Sequence, residues 1–184
     1  MGNTEFLKRG ALQLTSAGTG ISHSEKSPGP ATVHFLQIWS VPHTARLQPK
    51  YYTREFSDEE KKNAFVPVVA PIGSKGVSVE RDGKGPAPVQ SALTLYATLV
   101  DKGKTVEQEL RGTKGYVHVI QTGGYNPGKA KGASVNVGAK ESGERLELKE
   151  GDGAYLSVGK GGKTTFVVEN VGDETAEVLL FDLD

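Results

Sequence analysis

The residues best suited to chemistry in this sequence are His23 and Glu25, which are separated by a single residue. On a β-strand, residues two apart project from the same face, so an imidazole and a carboxylate would point together. Such a pair suits a mid-row divalent metal such as Fe(II), Mn(II) or Ni(II). Gly18 and Gly20 would let the backbone turn tightly beside it. The pair alone is not specific for a metal, because exposed strand faces also carry it.

A stable metal site needs more donors than this pair supplies, since three or four protein ligands are usual. The four histidines, His23, His34, His43 and His118, are scattered along the chain, and no His-x-His occurs. We assign no catalytic residue, because spacing indicates no Ser-His-Asp arrangement, although spacing alone does not exclude one.

Other conspicuous side chains are better interpreted as structural. His34 and His118 lie within predicted strands, where a packed or edge histidine is commoner than a ligand. Trp39, the only tryptophan, lies in an apolar strand pattern that favours the core. Glu107 and Glu109 share one face of a predicted strand, and we interpret them as an exposed, solvated pair.

The elements that would position these residues are mostly short strands. Period-two runs rich in β-branched, aromatic and Leu residues predict strands over 11–15, 33–39, 93–99, 116–120, 165–168 and 176–181. Turn signals fall at 82–83, 123–128, 151–153 and 161–162, and low apolar content predicts loops over 73–90 and 123–144. Only 58–64 predicts a helix, with Ser57 as its N-cap. Many short strands predict an all-β sandwich or barrel.

The composition excludes several classes of function. Twenty-two basic residues balance 22 acidic ones, and this balance does not favour direct nucleic-acid binding. The absence of cysteine removes disulfides, thiolate metal sites and thiol nucleophiles. No apolar run reaches the length of a membrane span, and the N-terminus does not read as a signal peptide. We therefore expect an intracellular protein, cytoplasmic or nuclear.

One segment carries a family resemblance. Residues 7–25 read LKRGALQLTSAGTGISHSE, residues 33–39 read VHFLQIW and residues 49–52 read PKYY. This succession resembles the pirin family of the cupin superfamily, in which Thr-Ala-Gly-x-Gly-Ile-x-His-x-Glu precedes a Leu-Gln-x-Trp strand and a Pro-x-Tyr continuation. The similarity is closest to fungal and bacterial pirin-like sequences and is strong over residues 7–56. The rest is collinear with the family's second cupin domain.

The resemblance implies a bicupin of double-stranded β-helix domains with an incomplete, N-terminally truncated first barrel. Residues 1–56 would be the remaining part of the N-terminal domain, 57–64 a short helical linker and 65–184 the C-terminal domain. His23 and Glu25 resemble the last two of four metal ligands, which would hold Fe, Ni or Mn. The first two would come from an upstream His-x-His that this sequence lacks, so a metal-free state is also expected.

Three functions stay open at this point. We expect a non-catalytic or weakly metal-binding regulatory protein, similar to pirins that modulate transcription factors through a protein partner. The first alternative is a quercetin 2,3-dioxygenase-type oxygenase whose site another chain completes. The second is a carbohydrate- or ligand-binding β-protein. Because an incomplete sheet exposes unpaired backbone edges, we also expect a homodimer formed through the N-terminal sheet.

Overall fold

The structure is a computed structural model that describes residues 4–122, 131–158 and 163–184. The described residues contain twelve strands and one short helix, joined by irregular segments. The elements are β1 Ala11–Ser16, β2 Lys50–Glu55, α1 Asp58–Lys61, β3 Val66–Pro71, β4 Ala87–Val89, β5 Leu93–Val100, β6 Thr105–Leu110, β7 Lys114–Val119, β8 Ser134–Ala139, β9 Leu146–Lys149, β10 Gly153–Ser157, β11 Thr164–Asn170 and β12 Ala176–Leu183. No helix within these ranges has the length and apolar character that a bilayer crossing requires.

The strands form three sheets. A six-stranded sheet has the order β10-β7-β12-β5-β3-β4, and a four-stranded sheet has the order β6-β11-β8-β9. The eight strands from β5 to β12 are divided equally between these two sheets and pair antiparallel throughout, which is the jelly-roll arrangement. Strands β1 and β2 pair separately as an antiparallel two-stranded sheet.

The six-stranded sheet is covered on both faces. Its inner face packs on the four-stranded sheet through a cluster of fully buried side chains that includes Val100, Val117 and Leu180. Its outer face carries a second apolar cluster around Leu95 and Leu179. Packed against this second cluster are Leu12 and Leu14 of β1. The two-stranded sheet therefore covers the outer face of the larger sheet.

A polar bridge fastens the N-terminal sheet to the rest of the chain. Arg9 donates to Asp58 of α1 at 3.0 Å and to Glu177 of β12 at 2.7 Å. At the start of α1 the Ser57 side chain accepts from the Glu60 N–H, and the Glu60 carboxylate accepts from the Ser57 N–H, which forms a capping box. The buried Lys61 side chain lies 3.2 Å from Asp58. One guanidinium thus joins the start of β1, the helix and the last strand.

Arg54 of β2 organises the loop that follows β3. Its side chain is only 3% exposed. The guanidinium donates to five backbone carbonyls at 2.7–3.2 Å, those of Thr53, Ser78, Glu80, Arg81 and Gly85. Because the five donors of arginine form a planar fork, one side chain can donate to several loop carbonyls at once. The loop over 78–85 is therefore held by β2.

Most of the predicted strands are confirmed, and one is wrong. The predictions near β1, β5, β6, β7, β11 and β12 each coincide with a strand. Residues 33–39 form no strand in the structure, because no neighbouring strand pairs with them. The predicted loop over 123–144 is wrong in its second half, which contains β8. The predicted helix over 58–64 is shorter, ending at Lys61.

Some sequence predictions are not decided by this structure. The predicted turns at 123–128 and 161–162 lie outside the described residues. The all-β class is confirmed by the strand content. The division into domains at 57–64 stays a prediction.

We expect Arg54→Ala to lower the free energy of unfolding by about 3 kcal/mol, because it removes a buried guanidinium that donates to five backbone carbonyls. The measurement is urea denaturation followed by circular dichroism. Arg81→Ala is the matched control, since Arg81 makes exposed ion pairs with Glu5 and Asp82, and such pairs contribute at most about 1 kcal/mol. Equal effects of the two substitutions would contradict the anchoring role of Arg54.

Candidate metal half-site at His23 and Glu25

The structure brings His23 and Glu25 together, although not on a strand. The pair lies in the irregular segment after β1, so the expected strand geometry is wrong. Their side chains nevertheless face each other, with His23 Nε2 at 3.9 Å from Glu25 Oε1. Half of the His23 side chain and about a third of Glu25 are exposed, at 50% and 36%. The pair is therefore open to solvent and to any further ligand.

A glycine turn fixes where this segment leaves β1. Gly18 has φ +54°, in the left-handed region that glycine adopts without strain. A Cβ placed on Gly18 would lie 1.9 Å from the Leu47 carbonyl oxygen, which is closer than any real contact. The Thr19 N–H donates to that same carbonyl at 3.0 Å. The sequence prediction of a tight glycine turn beside the pair is confirmed at Gly18.

Two side chains of the N-terminal sheet support the pair. Gln13 of β1 donates through Nε2 to Glu25 Oε1. Tyr51 of β2 donates its hydroxyl to Gln13 Oε1 at 3.0 Å. Burial raises the pKa of Tyr51, and the nearby charges of Asp82 and Glu25 raise it further. Tyr51 therefore stays a neutral donor at physiological pH, which orients the Gln13 amide toward Glu25.

The donor set fits part of a metal site. Metal–nitrogen and metal–oxygen bonds are each about 2.1 Å long, so one ion can bridge atoms 3.9 Å apart. The described residues contain no group of three or more His, Asp or Glu side chains that could hold an ion. His23 and Glu25 thus present two donors, and stable sites usually have three or four.

Comparison with known proteins finds relatives of this chain in both sequence and structure. The Pirin family model matches residues 1–40. Quercetin 2,3-dioxygenase of Escherichia coli K12 is 39% identical over 75 residues, which cover 40% of this chain and 32% of that protein. The crystal structure of YhhW from Escherichia coli superposes on all of this chain with a TM-score of 0.71 at 25% identity. The chain is similar to the pirin family in its N-terminal sequence and in its fold.

The coverage of these relatives is partial. The aligned part is about a third of the E. coli quercetin 2,3-dioxygenase, and this chain spans 64% of the YhhW chain. A second YhhW structure, in complex with nickel(II), matches 99% of this chain with a TM-score of 0.70 at 24% identity. With the pairing of β5–β12, these matches show the cupin fold and fit a bicupin with a partial first barrel.

The remaining candidates lie apart from the half-site. Glu107 and Glu109 are in exposed ion pairs with Lys140 and Lys163, as the solvated interpretation expects. Trp39 is 88% exposed, so its expected place in the core is wrong.

An aromatic cluster that sequence reasoning missed surrounds His118. Its ring stacks on Tyr116 at 6.3 Å, and Tyr116 also contacts Tyr155 of the neighbouring strand and Phe181 of β12. Nδ1 of His118 is buried and has no hydrogen-bond partner among the described residues. Alternation along β7 could have placed Tyr116 and His118 on one face, but their neighbours come from strands distant in sequence.

The environment of His118 favours the neutral imidazole. Burial lowers the pKa of His118 below its ordinary value of 6.5, and the nearby charge of His34 lowers it further. The backbone carbonyl and the charge of Asp152 oppose this shift without cancelling it. In the unfolded chain the imidazole recovers its ordinary pKa, so the unfolded state binds more protons near that pH.

We expect the stability of this protein to fall as the pH drops below about 6.5, because protons then bind the unfolded His118 preferentially. His118→Phe should reduce the slope of the unfolding free energy between about pH 7 and pH 5. Denaturant titrations at several pH values provide the measurement. His43→Ala, at an exposed histidine, is the control and should keep the wild-type slope. An unchanged slope in His118→Phe would show that other groups cause the pH dependence.

Proposed function

We propose that this pirin-like protein is a binding or regulatory protein that does not by itself sustain robust catalysis. The observation that carries the proposal is the donor count: His23 and Glu25 lie together, and no third donor joins them within the described ranges. A two-donor site releases its ion readily to buffer and chelators. Within this proposal the chain acts inside the cell, in the cytoplasm or nucleus, through a protein partner.

The half-site geometry supports this role over a complete metal centre. Glu25 is engaged by Gln13, and Gln13 is engaged by Tyr51, so the carboxylate already has a partner without metal. Half of the His23 side chain is exposed, which leaves room for donors supplied from outside the chain. The pair therefore suits weak or conditional metal binding.

We expect the protein purified without chelators to contain clearly less than one Fe, Ni or Mn per chain. His23→Ala should leave that content unchanged, because two donors retain little metal. Elemental analysis by mass spectrometry measures the content, and His43→Ala, at an exposed histidine away from the pair, is the matched control. About one ion per chain that only His23→Ala removes would overturn the proposal.

The second candidate is a quercetin 2,3-dioxygenase-type oxygenase whose site another chain completes. The observation that favours it is the likeness to a protein named quercetin 2,3-dioxygenase, together with two donors positioned to share an ion. A bound divalent metal would supply redox and Lewis-acid chemistry. The residues of this chain would hold it through His23 and Glu25, with Gln13 orienting the carboxylate.

If this candidate is correct, the metal-loaded protein should consume quercetin with concomitant oxygen uptake. The rate per chain should rise with protein concentration, because assembly completes the site. Glu25→Gln should abolish turnover, whereas Glu107→Gln, at an exposed carboxylate remote from the pair in sequence, should not. Absence of turnover at saturating Fe, Ni and Mn would leave the binding function as the remaining candidate.

A further inference from the structure

A chain of two hydrogen bonds leads from Glu25 back into the N-terminal sheet. Gln13 donates to Glu25 Oε1, the same oxygen that lies 3.9 Å from His23 Nε2, and the Tyr51 hydroxyl lies 3.0 Å from Gln13 Oε1. An ionised carboxylate only accepts hydrogen bonds, so the amide nitrogen of Gln13 has to face Glu25. The amide oxygen is then left for Tyr51, whose hydroxyl has to donate. The direction of both bonds therefore follows from the charge of Glu25.

The register of β1 and β2 places the donors of this chain on one face of their sheet. Gln13 lies opposite Thr53, and Tyr51 is two residues before Thr53 on the same strand. Opposite residues in an antiparallel pair, and residues two apart on one strand, project to the same side. Gln13 and Tyr51 are thus diagonal neighbours. They lie on the face turned away from the six-stranded sheet, because Leu12 and Leu14 pack on that sheet.

The loop over 78–85 is attached to β2 beside Tyr51. The Arg81 carbonyl accepts from the Thr53 N–H at 3.0 Å and from Arg54 Nη1 at 2.8 Å. The Thr53 hydroxyl donates to the Asp82 carboxylate at 2.6 Å. Three hydrogen bonds therefore fix residues 81 and 82 against the strand that carries Tyr51.

The Arg81 side chain lies over the ring of Tyr51. Its guanidinium carbon is 5.7 Å from the ring centroid, within the range of a cation–π contact. The same guanidinium is held by ion pairs with Glu5 and Asp82. A residue of the loop between β3 and β4 thus restrains the ring whose hydroxyl orients Gln13. We call Arg81, Tyr51 and Gln13 the relay.

We propose that Arg81 positions Glu25 through the other two residues of the relay. In this way the loop between β3 and β4 sets how tightly His23 and Glu25 hold a divalent ion. Hydrogen-bonded partners of a ligating carboxylate fix its orientation, and their loss typically lowers metal affinity about 10- to 100-fold. The inference rests on the proposed function only in taking the ion to bind at this pair.

The first test follows the relay without any metal. The side-chain amide of Gln13 gives a pair of resonances in a proton–nitrogen correlation spectrum, and Gln13→Leu identifies the pair by its loss. Arg81→Ala and Tyr51→Phe should each shift this pair. Arg81→Lys should shift it less, because a lysine keeps a cation over the ring. Tyr52→Phe is the matched control, since it removes the same hydroxyl one residue later, on the opposite face of β2.

The second test measures the affinity for nickel(II) by isothermal titration calorimetry. Only the binding that His23→Ala removes is counted, so that ions on other carboxylates do not contribute. Gln13→Leu should weaken this binding about tenfold. Arg81→Ala and Tyr51→Phe should each weaken it about threefold, since each removes one contact further from the carboxylate. Tyr52→Phe should keep the wild-type affinity.

Combined variants separate positioning from a general loss of stability. In the relay Tyr51 acts only through Gln13, so Tyr51→Phe should cause no further loss of affinity once Gln13→Leu is present. Independent structural effects would instead multiply. Circular dichroism of each variant checks that the fold is kept.

Three outcomes would overturn the inference. Unchanged Gln13 resonances in Arg81→Ala would show that the relay does not reach the loop. An equal or tighter nickel affinity in Gln13→Leu would show that the amide does not position Glu25 for the ion. Absence of any binding that depends on His23 would remove the site on which the relay acts. Tight binding of one ion per chain would contradict the proposed function alone, because the relay predicts a ratio of affinities.

Discussion

The six-stranded sheet has apolar side chains on both of its faces, and each face requires a cover. Strand β5 shows this most clearly, since seven of its eight residues are buried. The four-stranded sheet covers one face and closes the jelly roll. The N-terminal sheet covers part of the other through Leu12 and Leu14. Both leucines are partly buried there, so each stabilises this second layer by less than the about 2 kcal/mol of a fully buried leucine.

The half-site depends on that second layer. Gln13 lies on β1 and Tyr51 on β2, and the register of this pair places Gln13 opposite Thr53 and Leu14 opposite Tyr52. Alternation sends Leu12 and Leu14 toward the six-stranded sheet and Gln13 to the opposite side. The same packing that covers the sheet therefore aims the Gln13 amide at Glu25. The position of the His23–Glu25 pair and the stability of the fold therefore both depend on the two-stranded sheet of β1 and β2.

Sequence reasoning succeeded where local pattern decides the structure. Strands β5 and β12 were predictable because long runs of Leu, Val and aromatic residues strongly favour buried strands. Residues 33–39 show the same alternation but form no strand, because pairing also needs a partner that the pattern does not reveal. Arg54 was not predictable, since its acceptors are carbonyls of a loop 24–31 residues away. The proximity of His23 and Glu25 followed from spacing, whereas their support by Gln13 and Tyr51 required the β1–β2 register.

The Arg9 bridge has a consequence for biosynthesis. Arg9 bonds to Glu177, a partner 168 positions later in the chain, and β1 packs on the sheet that β12 completes. During translation β1 and β2 emerge before the sheet on which they dock is complete. Leu12 and Leu14 must therefore remain uncovered while the remaining strands are synthesised. Contacts of such long sequence separation form slowly, so these two leucines stay open to aggregation until β12 has been made.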